Sequence, residues 1–304
     1  MEVVTLLFQQ NLIMFLYMMI GFALYKNKLL TSAGSGELGK LLLYVILPTT
    51  IARSYMQEFS PQKLAQLGLA FAASAAAILL SMAVSALLLG KRSAVRNFGA
   101  AFSNAGFIGI PLIQMTLGTE AVFFVAPFVT IINLCQWTYG VWVITGDKGA
   151  IDPKKLPKNP FLFAFLIGLV FFFLPIRLPA ALSGMVGTIA SMNGPLAMIV
   201  LGAYLAQVPL RDLFTNRESY LCTAVRLLVI PALTLLLFCL IPGENRDVKM
   251  TILLAAATPV GSNVAIYAQL YHKDYRAAVT DVCLSTICSI ATMPLILAVA
   301  QMLW

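Results

Sequence analysis

Charge is scarce in this chain of 304 residues: 11% are Asp, Glu, Lys or Arg, against about 25% in a typical globular domain. So few charges cannot clothe a 32.9 kDa protein in water, and an ordinary soluble domain is excluded. The absence of any long polar stretch also excludes disorder and a separate soluble domain. There is one histidine, His272, and no HExxH, GxSxG or Walker loop with its lysine. Neither a hydrolase constellation nor an ATP-driven pump is therefore written in this chain, and no metal site or cofactor is expected. The five cysteines are odd in number, lack CxxC spacing and lie within apolar runs, so they read as small core residues.

What the chain has in quantity is apolar sequence: 60% of residues are hydrophobic and the mean hydropathy is +0.90. The solvent implied is lipid. A bilayer core about 30 Å thick needs roughly 20 apolar helical residues, and runs of that order occur at 3–25, 38–55, 64–90, 97–119, 121–146, 159–176, 180–208, 219–243, 250–271 and 275–304. The expectation is an all-α integral membrane protein of ten transmembrane helices. The first run lacks a basic leading segment and a small-x-small cleavage site, so it is expected to stay in the mature protein.

The net charge of +8 would suggest nucleic acid in a soluble chain. Here cytoplasmic loops rich in Lys and Arg account for it. Loops after the odd-numbered runs hold 14 of the 20 basic residues, which places them in the cytoplasm of a cell inner or plasma membrane and puts both termini outside. The one conspicuous linker, GDKGAIDPKKLPKNP at 146–160, falls on the cytoplasmic side.

Displacing the first five runs by 154 residues lays them over the second five. Residues 1–146 and 160–304 then form two repeats joined by a linker at 147–159. An odd number of spans per half inverts the second repeat, and inverted repeats are characteristic of secondary transporters. Chance registration of ten similar spans is the plainer explanation.

The fourth run of each half carries the sharper signal. The first reads NFGAAFSNAGFIGIPLIQMTLG, with Asn104, Gly106, Gly109 and Pro111; the second reads TILLAAATPVGSNVAIYAQLY, with Pro259, Gly261 and Asn263. A proline lacks the N–H owed to residue i−4 and crowds that carbonyl, so Phe107 and Ala255 should lose helical partners. Freed backbone groups are tolerable only where they line a polar cavity. Two such helices crossing at mid-membrane would offer N-terminal ends to an anion and carbonyl ends to a cation, with the amides of Asn104 and Asn263 beside them. Ordinary proline kinks are the bland alternative.

SNAGFIGIPL at 103–112, TPVGSNVAIYAQLY at 258–271 and PLAMIVLGAYLA at 195–206 resemble the auxin efflux carrier family over essentially the whole chain. The resemblance implies ten helices in two inverted five-helix repeats, similar to bile acid:sodium symporters, with broken helices 4 and 9 crossing at prolines. It further implies a scaffold of spans 1, 2, 6 and 7, a moving unit of spans 3–5 and 8–10, a homodimer through the scaffold, and a small organic anion as substrate. Asn104, Pro111 and Pro259 match the family's crossover positions; near Asn263 plant members carry another proline. The short linker departs from the long hydrophilic loop of the plant carriers. Whether Na+ or H+ drives transport is not legible.

Asp281 and Arg226 lie deep in their runs, about 10 Å from the cytoplasmic end. They can pair, Asp281 can accept protons for coupling, or Arg226 can snorkel to the headgroups; a structural role is expected over coupling. Arg53 is expected to pair with Glu58, and Thr49 to face the crossover from the scaffold. A ligand sensor using the same site, or a channel, would read similarly.

Overall fold

The computed structural model describes residues 2–151, 159–174, 176–207, 213, 215–241 and 245–304. The linker expected at 147–159 is described only at its two ends. Among the described residues the protein is helical, with one isolated β-bridge. The helices are α1 (Glu2–Lys26), α2 (Ser32–Leu41, continued through Leu42–Ile46 and Leu47–Ser54), α3 (Pro61–Leu89) and α4 (Ala94–Ala101). They continue with α5 (Ala105–Gly109 and Ile110–Leu117), α6 (Thr119–Thr145), α7 (Pro160–Phe173) and α8 (Ala180–Leu205). The last four are α9 (Arg217–Phe238), α10 (Arg246–Ala256), α11 (Asn263–Leu270) and α12 (Tyr275–Leu303).

Five of these, α3, α6, α8, α9 and α12, are long and apolar enough to cross a membrane, and Leu12–Lys26, Ala105–Leu117 and Pro160–Phe173 are shorter apolar helices. Large side chains such as Leu87, Leu240 and Met302 are more than four-fifths exposed. A water-soluble molecule would not tolerate so many such residues; a lipid-embedded one requires them.

The helix starts follow from short polar side chains that satisfy first-turn amides. Ser60 accepts from the Lys63 N–H, Ser93 from Arg96, Asn159 from Phe161 and Leu162, Asn216 from Glu218, and Asp274 from Ala277. Three π-helical turns, Leu42–Ile46, Ala105–Gly109 and Val225–Val229, each end two residues before a proline: Pro48, Pro111 and Pro231. In each case the crowded i−4 carbonyl is the central residue of the π turn. The wider turn relieves the clash and lets the helix continue.

Packing is lengthwise. α1 lies along the second half of α8, while the end of α2 lies against α7 and the first half of α8. Gly21 and Gly202 allow the first contact, since a Cβ at either would fall on the carbonyl of Ile199 or Met18 across the interface. α3 packs on α4, α6 and α10, and α12 packs on α4, α9 and α11.

The two runs carrying the Gly/Pro signal are both interrupted. α4 stops at Ala101, and the next helical turn begins at Ala105; α10 stops at Ala256, and α11 begins at Asn263. The interruptions meet as an antiparallel bridge between Ser103 and Val260. Its hydrogen bonds run from Asn104 N–H to the Pro259 carbonyl (2.8 Å) and from Gly261 N–H to the Phe102 carbonyl (2.9 Å). One expectation is corrected here. The first break lies at Phe102–Asn104, well before Pro111, because the π turn Ala105–Gly109 absorbs that proline inside a continuing helix.

Candidate functional site: a cavity at the helix crossing

Asn104 from the first interruption with Gly106 of α5, and Gly261 and Ser262 from the second with Asn263 of α11, line a small cavity at the bridge. It opens into a larger one of about 260 Å³, the two sharing Leu43, Asn133, Phe161 and Asn263. Among the described residues no charged side chain lines either cavity. Their polarity comes from amides and from the first turns of α5 and α11, which carry the positive end of the helix dipole; in α11 the Val264 and Ala265 N–H groups donate to the Gly261 and Ser262 carbonyls, both at 3.1 Å.

The amides differ in occupancy. Asn263 Nδ2 donates to Gln136 Oε1 at 2.8 Å, across from α11 to α6. Asn133 Nδ2 donates to its own helix at the Val129 carbonyl, 2.7 Å. Asn193, from α8, donates to the Gly106 carbonyl at 3.3 Å. Asn104 is 5% exposed, and its Nδ2 has no partner; the neighbouring Ser103 hydroxyl is likewise unpartnered. A buried N–H donor without an acceptor is costly, so a group that supplies an oxygen acceptor here, carboxylate above all, would be stabilised.

Close approach explains Gly261: a Cβ there would sit 3.0 Å from the Phe102 carbonyl, whereas one at Gly106 would make ordinary contact with Leu47 at 3.4 Å. Gly109 lies behind the crossing against Thr258. Pro111 packs on Gly194 of α8 and lines neither cavity. Thr49 is half-buried and also lines neither; α2 presents Leu43 and Leu47 instead. Residues that sequence reasoning passed over are Gln136, Asn133 and Asn193. Gln136 and Asn133 stand three apart, on one face of an otherwise apolar helix, and that spacing was the available signal.

A second polar cavity, of about 230 Å³, lies beyond the cavity pair along α2. Thr50, Arg53, Lys63, Gln114 and Glu120 are among its lining. Along α2 the two sites are separated by one helical turn, from Leu47 to Thr50. Thr50 is buried there, its hydroxyl donating to the carbonyls of Ile46 (2.8 Å) and Ala190 (3.4 Å). The larger cavity of the pair opens beside Ala150 and Pro160, at the two ends of the linker.

The charged residues take other partners than those expected. Arg226 neither pairs with Asp281 nor snorkels: it is 1% exposed, and its guanidinium donates to the carbonyls of Ala100 (3.0 Å) and Ala256. Those carbonyls belong to the last turns of α4 and α10, which the interruptions leave without helical donors. Asp281 instead faces Arg96 Nε at 3.7 Å. Nor do Arg53 and Glu58 pair, because Arg53 donates to the Gly187 carbonyl and Glu58 meets Arg177 on the surface.

Comparison with known proteins accords with this geometry. A family described as "Membrane transport protein" matches residues 6–297. A protein of Rhizobium meliloti (strain 1021) named "Putative malonate transporter" is 24% identical over 208 residues, 66% of this chain. The chain spans 64% of that relative's length.

Proposed function

Because the chain belongs to the membrane transport protein family, that of the auxin efflux carriers, we propose that it carries a small organic anion across the bilayer by alternating access at the crossing of α4–α5 with α10–α11. That it is a membrane-embedded transporter, not an enzyme, follows from the family. The anion and the mechanism are our reading. A mono- or dicarboxylate of malonate size suits a site built from helix N-termini and neutral amides, where no fixed cation among the described lining residues would hold the substrate too tightly to leave. The observation that carries the reading is the Ser103–Val260 bridge, which brings two interrupted helices together beside the unpartnered Asn104 amide.

In this reading the chain comprises ten spans in two inverted repeats, 1–146 and 160–304, with α4–α5 and α10–α11 each forming one broken span. The bridged residues are 157 apart, within three residues of the displacement that superimposes the halves. α1, α2, α7 and α8 are the scaffold and the remaining helices the moving unit, a grouping supported by the lengthwise contacts within each set. With the linker cytoplasmic, the cavity pair is the inward-facing vestibule, and the cavity of Arg53 and Lys63 is the outer mouth. Thr50 and Leu47 then lie at the closed gate between them.

The test is uptake of radiolabelled malonate and a series of mono- and dicarboxylates into proteoliposomes. Asn104→Ala is expected to reduce uptake by about tenfold or more, the equivalent of one hydrogen bond to a charged group, while eluting as folded protein. Uptake at the wild-type rate would refute the site. Thermal stabilisation by an anion with no flux would indicate a sensor.

A further inference from the structure

Arg226 occupies a position of particular electrostatic character. Where a helix ends inside the bilayer, its last carbonyls carry the negative end of the dipole and lack donors. In carriers built on broken helices these ends coordinate the coupling cation. In this protein two such ends, those of α4 and α10, lie within reach of one side chain. Arg226 arrives from a third helix, α9, and donates Nη1 to Ala100 and Nη2 to Ala256. It is buried, and among the described residues no carboxylate pairs with it. The counter-charge of this guanidinium is thus the pair of helix ends.

We propose that Arg226 is a tethered cation, filling as part of the chain the seat that a Na+ ion would take, so that the crossing is assembled and the transporter operates without Na+ there. The inference rests on the crossing being the transport site. Its chemistry follows from the guanidinium. A planar group with several fixed donors can engage two separate carbonyls at once and never loses its charge. A bound ion would stabilise the crossing only in proportion to its concentration; a covalently attached one does so at any ionic composition. The arrangement also ties α9 to both interrupted helices, which makes it a member of whatever body moves with them.

Thermal unfolding of the purified protein, read beside uptake, tests this. The wild type is expected to melt at the same temperature in NaCl and in choline chloride of equal ionic strength, and to take up malonate equally in both. Stabilisation specific to Na+, or uptake that demands Na+, would overturn the proposal. Arg226→Ala is expected to melt several degrees lower and to be restored by millimolar guanidinium, far below denaturing concentrations, but not by choline. Arg226→Met melting with the wild type would show that the carbonyls need no cation, and would also overturn it. Should Arg226→Ala yield no folded protein, Arg226→Lys carries the test, since it keeps the charge with fewer donors. It is expected to fold with an intermediate melting temperature, and failure to do so counts against the tethered cation. Absence of uptake in every cation would refute the carrier reading and leave the melting results standing.

Discussion

Gln136 and Asn263 reach across the cavity from opposite helices and share one 2.8 Å hydrogen bond, leaving the Gln136 amide N–H₂ and the Asn263 carbonyl oxygen for a solute. Replacing Gln136 by Leu keeps the bulk but removes the acceptor, so Asn263 loses its partner and the cavity loses a donor. Malonate uptake is expected to fall by about tenfold, with the melting temperature nearly unchanged because the freed amide can turn to cavity water. An unaltered uptake rate would remove Gln136 from the site. Asn104 and Asn263 were legible in the sequence because each lies beside glycine and proline in a span that should be apolar. Gln136 was not: its spacing from Asn133 marks one face of α6, but spacing alone cannot say whether that face meets a cavity. Arg226 stands out in the sequence for its depth, but its partners do not: backbone carbonyls carry no mark in a sequence, and only the packing of α9 against α4 and α10 supplies them.

Among the elements, the prolines teach the most. Pro48, Pro111 and Pro231 each follow a π turn and leave their helices continuous, whereas Pro259 lies within a true interruption. A sequence rule that places the break at the carbonyl four residues before a proline therefore fails at Pro111, where widening the turn is the easier relief. Helix limits were otherwise legible to within a few residues, because charge-free length and capping side chains act locally. The α1–α8 contact depends on Gly21 and Gly202. Gly202→Leu would force the two backbones apart, and destabilisation of about 1–3 kcal/mol, typical of overpacking, is expected as a lower melting temperature. A variant as stable as the wild type would show that the two helices separate freely.

At the scale of the molecule, cavities lie on both sides of one buried turn of α2, and the pair beside the linker ends reaches the helix crossing. In a cysteine-free background, Tyr271→Cys is expected to react with a membrane-impermeant maleimide from the linker side, and Gln57→Cys from the opposite side. Labelling of both from one side would contradict the proposed orientation. Which side is open could not be read from the sequence, since it depends on how two groups of helices sit against each other, not on any run of residues. The Ser103–Val260 bridge bears on this in another way. Backbone amides beside a wet cavity ordinarily trade their protons for deuterium quickly. Those of Asn104 and Gly261 are each committed to a carbonyl of the other strand, so they should exchange as slowly as amides in the centre of α12. In the proposed mechanism that retention would persist through every turnover, because the two strands would travel together and the wall opposite them would be what changes.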